Sequence, residues 1–269
     1  MIEQITSWLN GSSAGALALI FCGLFLAITL IGIFLVHPFM RDWLHAEQKV
    51  NDVVIFVGAN YGLIYAVLLG LLAVATFDNT RALKENMAQE AMSLSTIYNS
   101  AGGYPEPLRS DLRAQLRDYT HYVIDKDWPA HRLAKTPNGG EHRLQAMRQD
   151  LFAFEPKGET QGILHGEILR EFNSMYDARE QRLASVTSSM PSVLWYVVIF
   201  GAILTSMFIW MLHMDLIPQI LLGGVTALFL GVMTYLIYAM DHPLQGAVSL
   251  EPEPYQSVYD LVMKWDEPS

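Results

Sequence analysis

Few residues of this chain stand at spacings that could do chemistry, and the most suggestive set is not catalytic. On a helical wheel Asn60, Val67, Leu71, Val74 and Asp78 fall within about 60° of one another, the polar pair about five turns apart. An amide, three apolar side chains and a carboxylate in one line suit a helix lining an aqueous path, with a constriction that gates by dewetting. The same line suits a helix turned to lipid, with Asn60 bonded to a neighbour and Asp78 at the membrane interface. Asp241 ends another apolar run as Asp78 ends this one, which places two carboxylates at one mouth. They form a vestibule attracting cations, or they cap basic residues such as Arg81 and Arg182.

Other constellations point to no reaction. The chain has no HExxH, Walker loop, dinucleotide fingerprint or GxSxG elbow. Its 8 histidines lack metal-ligand spacing. His165-Gly166-Glu167 and Glu141-His142 each offer two ligands at most and read better as solvated helix faces. Glu251 and Glu253 fall short of the convergent oxygens calcium requires. The single cysteine, Cys22, lies in an apolar run and excludes an intrachain disulfide. No enzyme activity, cofactor or metal is expected.

The elements that hold these residues are membrane helices. The sequence is 52% hydrophobic and 16% charged, with its apolar residues gathered in four blocks, and the formal charge of −10 argues against nucleic acid. Met1–Asn10 carries Glu3 and no Lys or Arg, and the apolar run after it is too long for a cleavable signal, so Ala14–Val36 is taken as the first span. The second span, Val53–Phe77, has no charged residue and sits in a proline-free run from Arg41 to Ala101. At about 1.5 Å per residue that run reaches roughly 90 Å as one helix, several times what a bilayer needs. The helical pattern continues through Leu83, Met87, Met92 and Ile97 and breaks at Gly102-Gly103-Tyr104-Pro105. Spans three and four are expected at Val193–Leu212 and Leu216–Met240, with Trp43, Trp195, Tyr196 and Trp210 as interfacial aromatics.

Four parts follow: 1–77 with two spans, a helical region 78–190, 191–240 with two more spans, and an acidic proline-rich tail 241–269. In the helical region Leu112, Leu116, Tyr119 and Val123 keep a helical period, as do Leu164, Ile168, Phe172 and Met175. Breaks are expected at Trp128-Pro129, Thr136–Gly140 and Glu155–Gly158. The tail is expected to dock as extended chain with a last helix at Tyr255–Lys264. The fold class is thus an all-α integral membrane protein with four transmembrane helices, the second one extended. Small residues make two stripes, Gly58, Gly62, Ala66, Gly70 and Ala73 on the second span and Gly223, Ala227 and Gly231 on the fourth, read as helix-packing faces. Arg81, Lys84, Arg179 and Arg182 on one side against Arg41 and Lys49 on the other place the helical region and both termini in the cytoplasm.

Several segments together resemble a known family. Tyr61-Gly62-Leu63-Ile64-Tyr65-Ala66, Glu90-Ala91, Trp128-Pro129, Arg179-Glu180-Gln181-Arg182-Leu183, Pro191-Ser192-Val193-Leu194-Trp195 and Asp241-His242-Pro243-Leu244-Gln245-Gly246 are similar, in order and spacing, to bacterial membrane proteins described as bestrophin-like. The resemblance extends more distantly to bestrophins, oligomeric channels, usually pentamers, whose second helix lines the pore with an apolar neck. It implies Val67, Leu71 and Val74 as the neck, flanked by Asn60 and Asp78. Anion preference is not implied, because Asp78 and Asp241 would stand at the cytoplasmic mouth. The calcium clasp of bestrophins has no residue-by-residue match here. The expected function is a homo-oligomeric ion channel of the bacterial inner membrane, with the lipid bilayer, copies of itself and inorganic ions as partners. The alternative is a non-conducting scaffold or sensor whose cytoplasmic helical region binds a protein.

Overall fold

The computed structural model describes residues 14–43, 48–245 and 249–266. Expectations about Met1–Asn10, and about the side chains of Arg41, Trp43 and Lys49, lie outside what is described. The described residues form helices and connecting turns, with no strand among them. In chain order the helices are α1 (Ala14–Trp43), α2 (Gln48–Ser100), α3 (Leu108–Tyr122), a short α4 (Trp128–His131), α5 (Gly139–Ala153), α6 (Glu159–Thr187), α7 (Ser192–Met211), α8 (Leu216–Asp241) and α9 (Glu253–Val258). Four of these stretches, Gly15–Val36, Val50–Gly103, Ser192–Met211 and Leu216–Asp241, are long and apolar enough to cross a membrane.

Two compact units divide the chain. One draws on Met1–Asn79 and Ser189–His242, the other on Thr80–Ser188 and Pro243–Ser269, so α2 contributes to both. The tail after α8 therefore belongs with the helical region rather than forming a part of its own.

In the first unit α1 lies chiefly along α8. Gly231 makes that approach possible, because a Cβ there would stand 2.6 Å from the Cys22 Cα. Ala227 is buried, and a Cβ on Gly223 would meet Ile33 and Thr29 of α1. The fourth-span stripe of small residues is thus the seam between α1 and α8. On α2 the contact is made differently. Tyr65, Leu69 and Leu72 pack with Val198 and Ala202 of α7 and with Leu230 and Ile237 of α8, and Gly201 of α7 leaves the space that the Tyr65 ring fills. Gly58 touches Phe208 at its edge, but Gly62 and Gly70 have open space where a Cβ would be, and Ala66 is exposed. The expected packing stripe on the second span meets the chain's own helices at its ends, Gly58 and Ala73, and not at Gly62, Ala66 and Gly70. Large side chains on α2 meet small ones on α7, instead of small meeting small.

In the second unit the apolar core gathers Leu83, Met87, Leu94 and Ile97 of α2 with Leu112, Leu116 and Tyr119 of α3. Leu144 and Leu151 of α5, Ile168, Phe172 and Met175 of α6, and Leu244, Tyr255 and Met263 of the C-terminal segment complete it. Most residues spaced at helical period are inside; Leu164 is partly buried at the edge, and Met92 of α2 is exposed. The expected break at Trp128-Pro129 is not a break. A π-helical turn, Val123–Asp127, carries α3 straight into α4, with Pro129 in that helix's first turn. Proline brings no N–H to the helical ladder, and the wider turn before it absorbs the mismatch. The last helix also differs from the single run expected: α9 passes through a π turn, Tyr259–Met263, to a 3-10 turn ending at Asp266. The Glu155–Gly158 break ends with Gly158 at a φ of 99°, a conformation glycine adopts without strain.

Candidate functional site

The strip on α2 is open in the first unit. Val67, Leu71 and Val74 are 56%, 67% and 58% exposed, and Asn60 and Asp78 are exposed as well. They stand apart from the packing edge of Tyr65, Leu69, Leu72 and Thr76, about half a turn round the helix. Asn60 is not bonded to a neighbouring helix; its amide nitrogen donates to the Phe56 carbonyl of its own helix at 2.7 Å. A groove of about 250 Å³ lies on the other side of the helix, between α2, α7 and α8, with Gly58, Tyr61, Gly62, Thr205 and Phe208 in its wall.

Asp241 does not share the openness of Asp78. Its carboxylate is 6% exposed and accepts hydrogen bonds from the Met190 backbone N–H at 2.6 Å and the Trp195 indole N–H at 3.2 Å. It fastens the end of α8 to the start of α7, where the first N–H groups of a helix lack intrahelical partners. A buried, doubly bonded carboxylate makes a poor vestibule. Nor do the basic residues considered for it pair with either aspartate. Arg81 pairs with Glu85 one turn along α2, and Arg182 pairs with Glu90.

The second unit holds a polar centre that spacing alone did not expose. Glu90 of α2 is completely buried and accepts four hydrogen bonds: from Tyr119 at 2.7 Å, Tyr255 at 2.8 Å, and the Arg182 Nε and Nη2 at 2.8 and 3.1 Å. Arg182 also lies over the rings of Trp128 and Tyr255. Glu90 holds its guanidinium well above the usual arginine range, against the opposing effect of burial. Burial and the nearby Glu90 charge push both tyrosine hydroxyls well up. Arg179, one turn earlier on α6, bonds Glu141 and Glu180. The tail is fastened here too, through Trp128 Nε1 to the Leu250 carbonyl at 2.8 Å and Arg132 to Glu251 at 2.6 Å.

The signal for this centre was present in the residues that carry the family resemblance. Glu90, Trp128, Arg179 and Arg182 converge on it, while Trp195 and Asp241 make the clamp in the first unit. These motif residues bind the chain to itself. Of the weaker candidates, Glu141 is committed to Arg179, Glu251 to Arg132, and His165 meets the Tyr104 hydroxyl at 2.6 Å through Nδ1. Among the described residues no three His, Cys, Asp or Glu side chains come together as a metal site.

Comparison with solved structures places this fold beside a bestrophin homologue of Klebsiella pneumoniae. The TM-score is 0.69 at 11% identity, over 93% of this chain and 99% of that one. A single-residue variant of the same homologue aligns at 0.66 and 11%, over 91% and 97%. A further crystal structure, described only as a membrane protein, aligns at 0.65 and 10%, over 91% and 98%. No curated protein matches the sequence. The bestrophin-like domain matches residues 23–255, nearly the whole chain, and the protein therefore belongs to the bestrophin-like family.

Proposed function

We propose that the chain is one subunit of a homo-oligomeric ion channel of the bacterial inner membrane, with the Asn60–Asp78 face of α2 turned toward the symmetry axis. One observation carries this reading. Val67, Leu71 and Val74 stand exposed in a line between two polar side chains. Asn60 adds support: its amide needs no neighbouring helix, yet its exposed position would be costly against lipid and costs little beside water. Asp78 marks the cytoplasmic mouth in this arrangement, and Asp241 clamps the helix end behind it. Five copies is the number the family resemblance implies, and inorganic ions are the permeant class. The second unit and both termini face the cytoplasm. Arg81 and Lys84 are the exposed basic residues that support this orientation, since Arg179 and Arg182 are buried in ion pairs.

Recording from the purified protein in planar bilayers tests the reading. The wild type conducts, and Leu71→Thr, which wets the middle of the apolar strip, raises the open probability. If neither conducts above protein-free bilayers, the channel reading falls. In a Cys22→Ala background, single cysteines at Asn60, Val67 and Leu71 react with water-soluble thiol reagents, while one at Gly62 stays protected. Protection at all four positions identifies a lipid-facing strip and favours a non-conducting scaffold.

A further inference from the structure

Two carboxyls lie buried in the polar centre of the second unit, and their surroundings are opposite. Glu90 takes four donors. Asp127 is 1% exposed, and neither of its oxygens has a hydrogen-bond donor. The π-helical turn that ends at Asp127 is what sets this side chain inward, next to Trp128.

The charged groups around it are already engaged. From α6, Arg182 stands 3.8 Å away but is held by Glu90, and Arg179 is held by Glu141 and Glu180. From α5, Arg143 is paired with Asp118 of α3. From α2 the facing group is Glu90, itself negative. One turn along its own helix is His131, fully buried, whose Nδ1 faces the Arg182 guanidinium at 3.4 Å and whose Nε2 has no partner. Each arginine thus has its carboxylate without counting Asp127. An ionised carboxylate kept dry and without donors is costly, whereas a protonated one carries no charge to solvate.

We propose that Asp127 is a proton-binding site of the second unit, protonated beside an ionised Glu90, whose proton governs how firmly the C-terminal segment is seated. The link to the tail is Arg182. It is shared between Glu90, which also takes the Tyr255 hydroxyl, and the space in front of Asp127. When Asp127 loses its proton, the new carboxylate draws Arg182 away from Glu90 and disturbs the acceptor on which Tyr255 rests. Trp128, which holds the Leu250 carbonyl, is the adjacent residue and feels the same change. Burial pushes the Asp127 carboxyl up to about 6, over the opposing effect of Arg182 and Arg179, so the proton is exchanged within reach of physiological pH. His131 supplies no compensating charge, because burial and the two arginines hold it down at about 3.

The test uses the full chain in detergent micelles or lipid vesicles. Infrared difference spectra between pH 5 and pH 7.5 show the carbonyl band of a protonated carboxyl in the wild type, and Asp127→Asn removes it. Hydrogen exchange of amides 249–266, corrected for intrinsic rates, gives the second readout. The ratio of wild-type to Asp127→Asn protection falls as pH rises from about 4 to about 6, by up to about tenfold per pH unit. A band that survives Asp127→Asn, or a ratio that does not change with pH, overturns the proposal. Asparagine has the shape of the protonated acid, so failure of Asp127→Asn to fold also overturns it by showing that the charge is required.

Discussion

Asp78 and Glu90 sit on the same helix and meet opposite surroundings. Asp78 is exposed, at the end of a span whose other polar side chains are satisfied partly within their own helix and partly by single bonds to α7: the Tyr61 and Tyr65 hydroxyls donate to the Gly201 and Val198 carbonyls. Asn60 bonds to Phe56 and Thr76 to Leu72, and on α7 Thr205 bonds to Gly201 and Ser206 to Ala202, each the carbonyl one turn back on its own helix. Glu90 is buried and satisfied entirely at long range, by α3, α6 and the C-terminal segment. A helix entering lipid must satisfy its polar groups internally, and shape then decides how helices meet. A unit folded in water can bury a charge only when distant parts of the chain converge on it. The first unit thus joins close fit with isolated hydrogen bonds between helices, and the second is held by a network around a buried ion pair. The tail obeys the second rule, because one of its side chains completes the shell of Glu90.

The largest expected effect separates the units by charge. Removing one member of the buried pair, with Glu90→Leu or Arg182→Met, leaves the other uncompensated and costs about 3–5 kcal/mol. Combining the two costs clearly less than the sum, a double-mutant cycle read by denaturant unfolding in micelles. Additive losses would show that the network does not hold the second unit.

Next comes the pH response of Asp127 and His131, both buried in the polar centre. Asp127 is raised to about 6, so its contribution to stability is fully present below the ordinary aspartate value of 3.8 and is lost as pH rises through 6. His131 is lowered to about 3, so its contribution is present above 6.5 and is lost as pH falls. Between about pH 4 and 6 the folded chain holds a neutral acid and a neutral imidazole, where the unfolded chain holds the corresponding ions. At these two sites both states bind the same number of protons, so their contributions to the wild-type slope nearly cancel in this window. His131→Asn exposes the Asp127 slope, with stability falling as pH rises, by up to about 1.4 kcal/mol per pH unit. Thermal unfolding across pH 4–7 reads it as a difference from the wild type, and a variant with the wild-type pH profile would break the pairing.

The smallest effect probes fit in the first unit. Gly231→Val drives a side chain into the α1 backbone beside Cys22 and costs about 1–3 kcal/mol. Gly70→Ala meets no neighbour in its own chain and gains up to about 1 kcal/mol of helix propensity. Melting temperatures in micelles that move down for the first and hold or rise for the second would sharpen the contrast. A large loss at Gly70 would instead mean that another copy packs there.

Much of the frame was legible before any coordinates. Four apolar blocks, a proline-free second run and the Gly102–Pro105 break were enough to place the spans, because crossing a bilayer demands length and continuity that composition displays. The Gly223–Ala227–Gly231 seam was legible for a similar reason, since small residues at one-turn spacing mark close helix approach. The same pattern on the second span says less, since only Gly58 and Ala73 of it meet the chain's own helices. Gly62, Ala66 and Gly70 show that backbones can come close, not that a neighbour is present, and the Tyr65–Gly201 fit centres α7 on the edge of the stripe that holds Gly58. The Trp128-Pro129 step misled, because a proline that usually ends a helix was absorbed by a π turn.

The sequence by itself determined the class of molecule, the four spans and the Asn60–Asp78 line along the second helix, since each depends on neighbours in the chain and on a fixed helical period. Only the tertiary structure decided that Asp241 is a clamp rather than an open mouth, that Glu90 and Arg182 are partners, and that Asp127 is left without a donor. Those outcomes depend on which distant residues converge, and the strength of a buried charge's interactions is set by that convergence, not by its position in the chain.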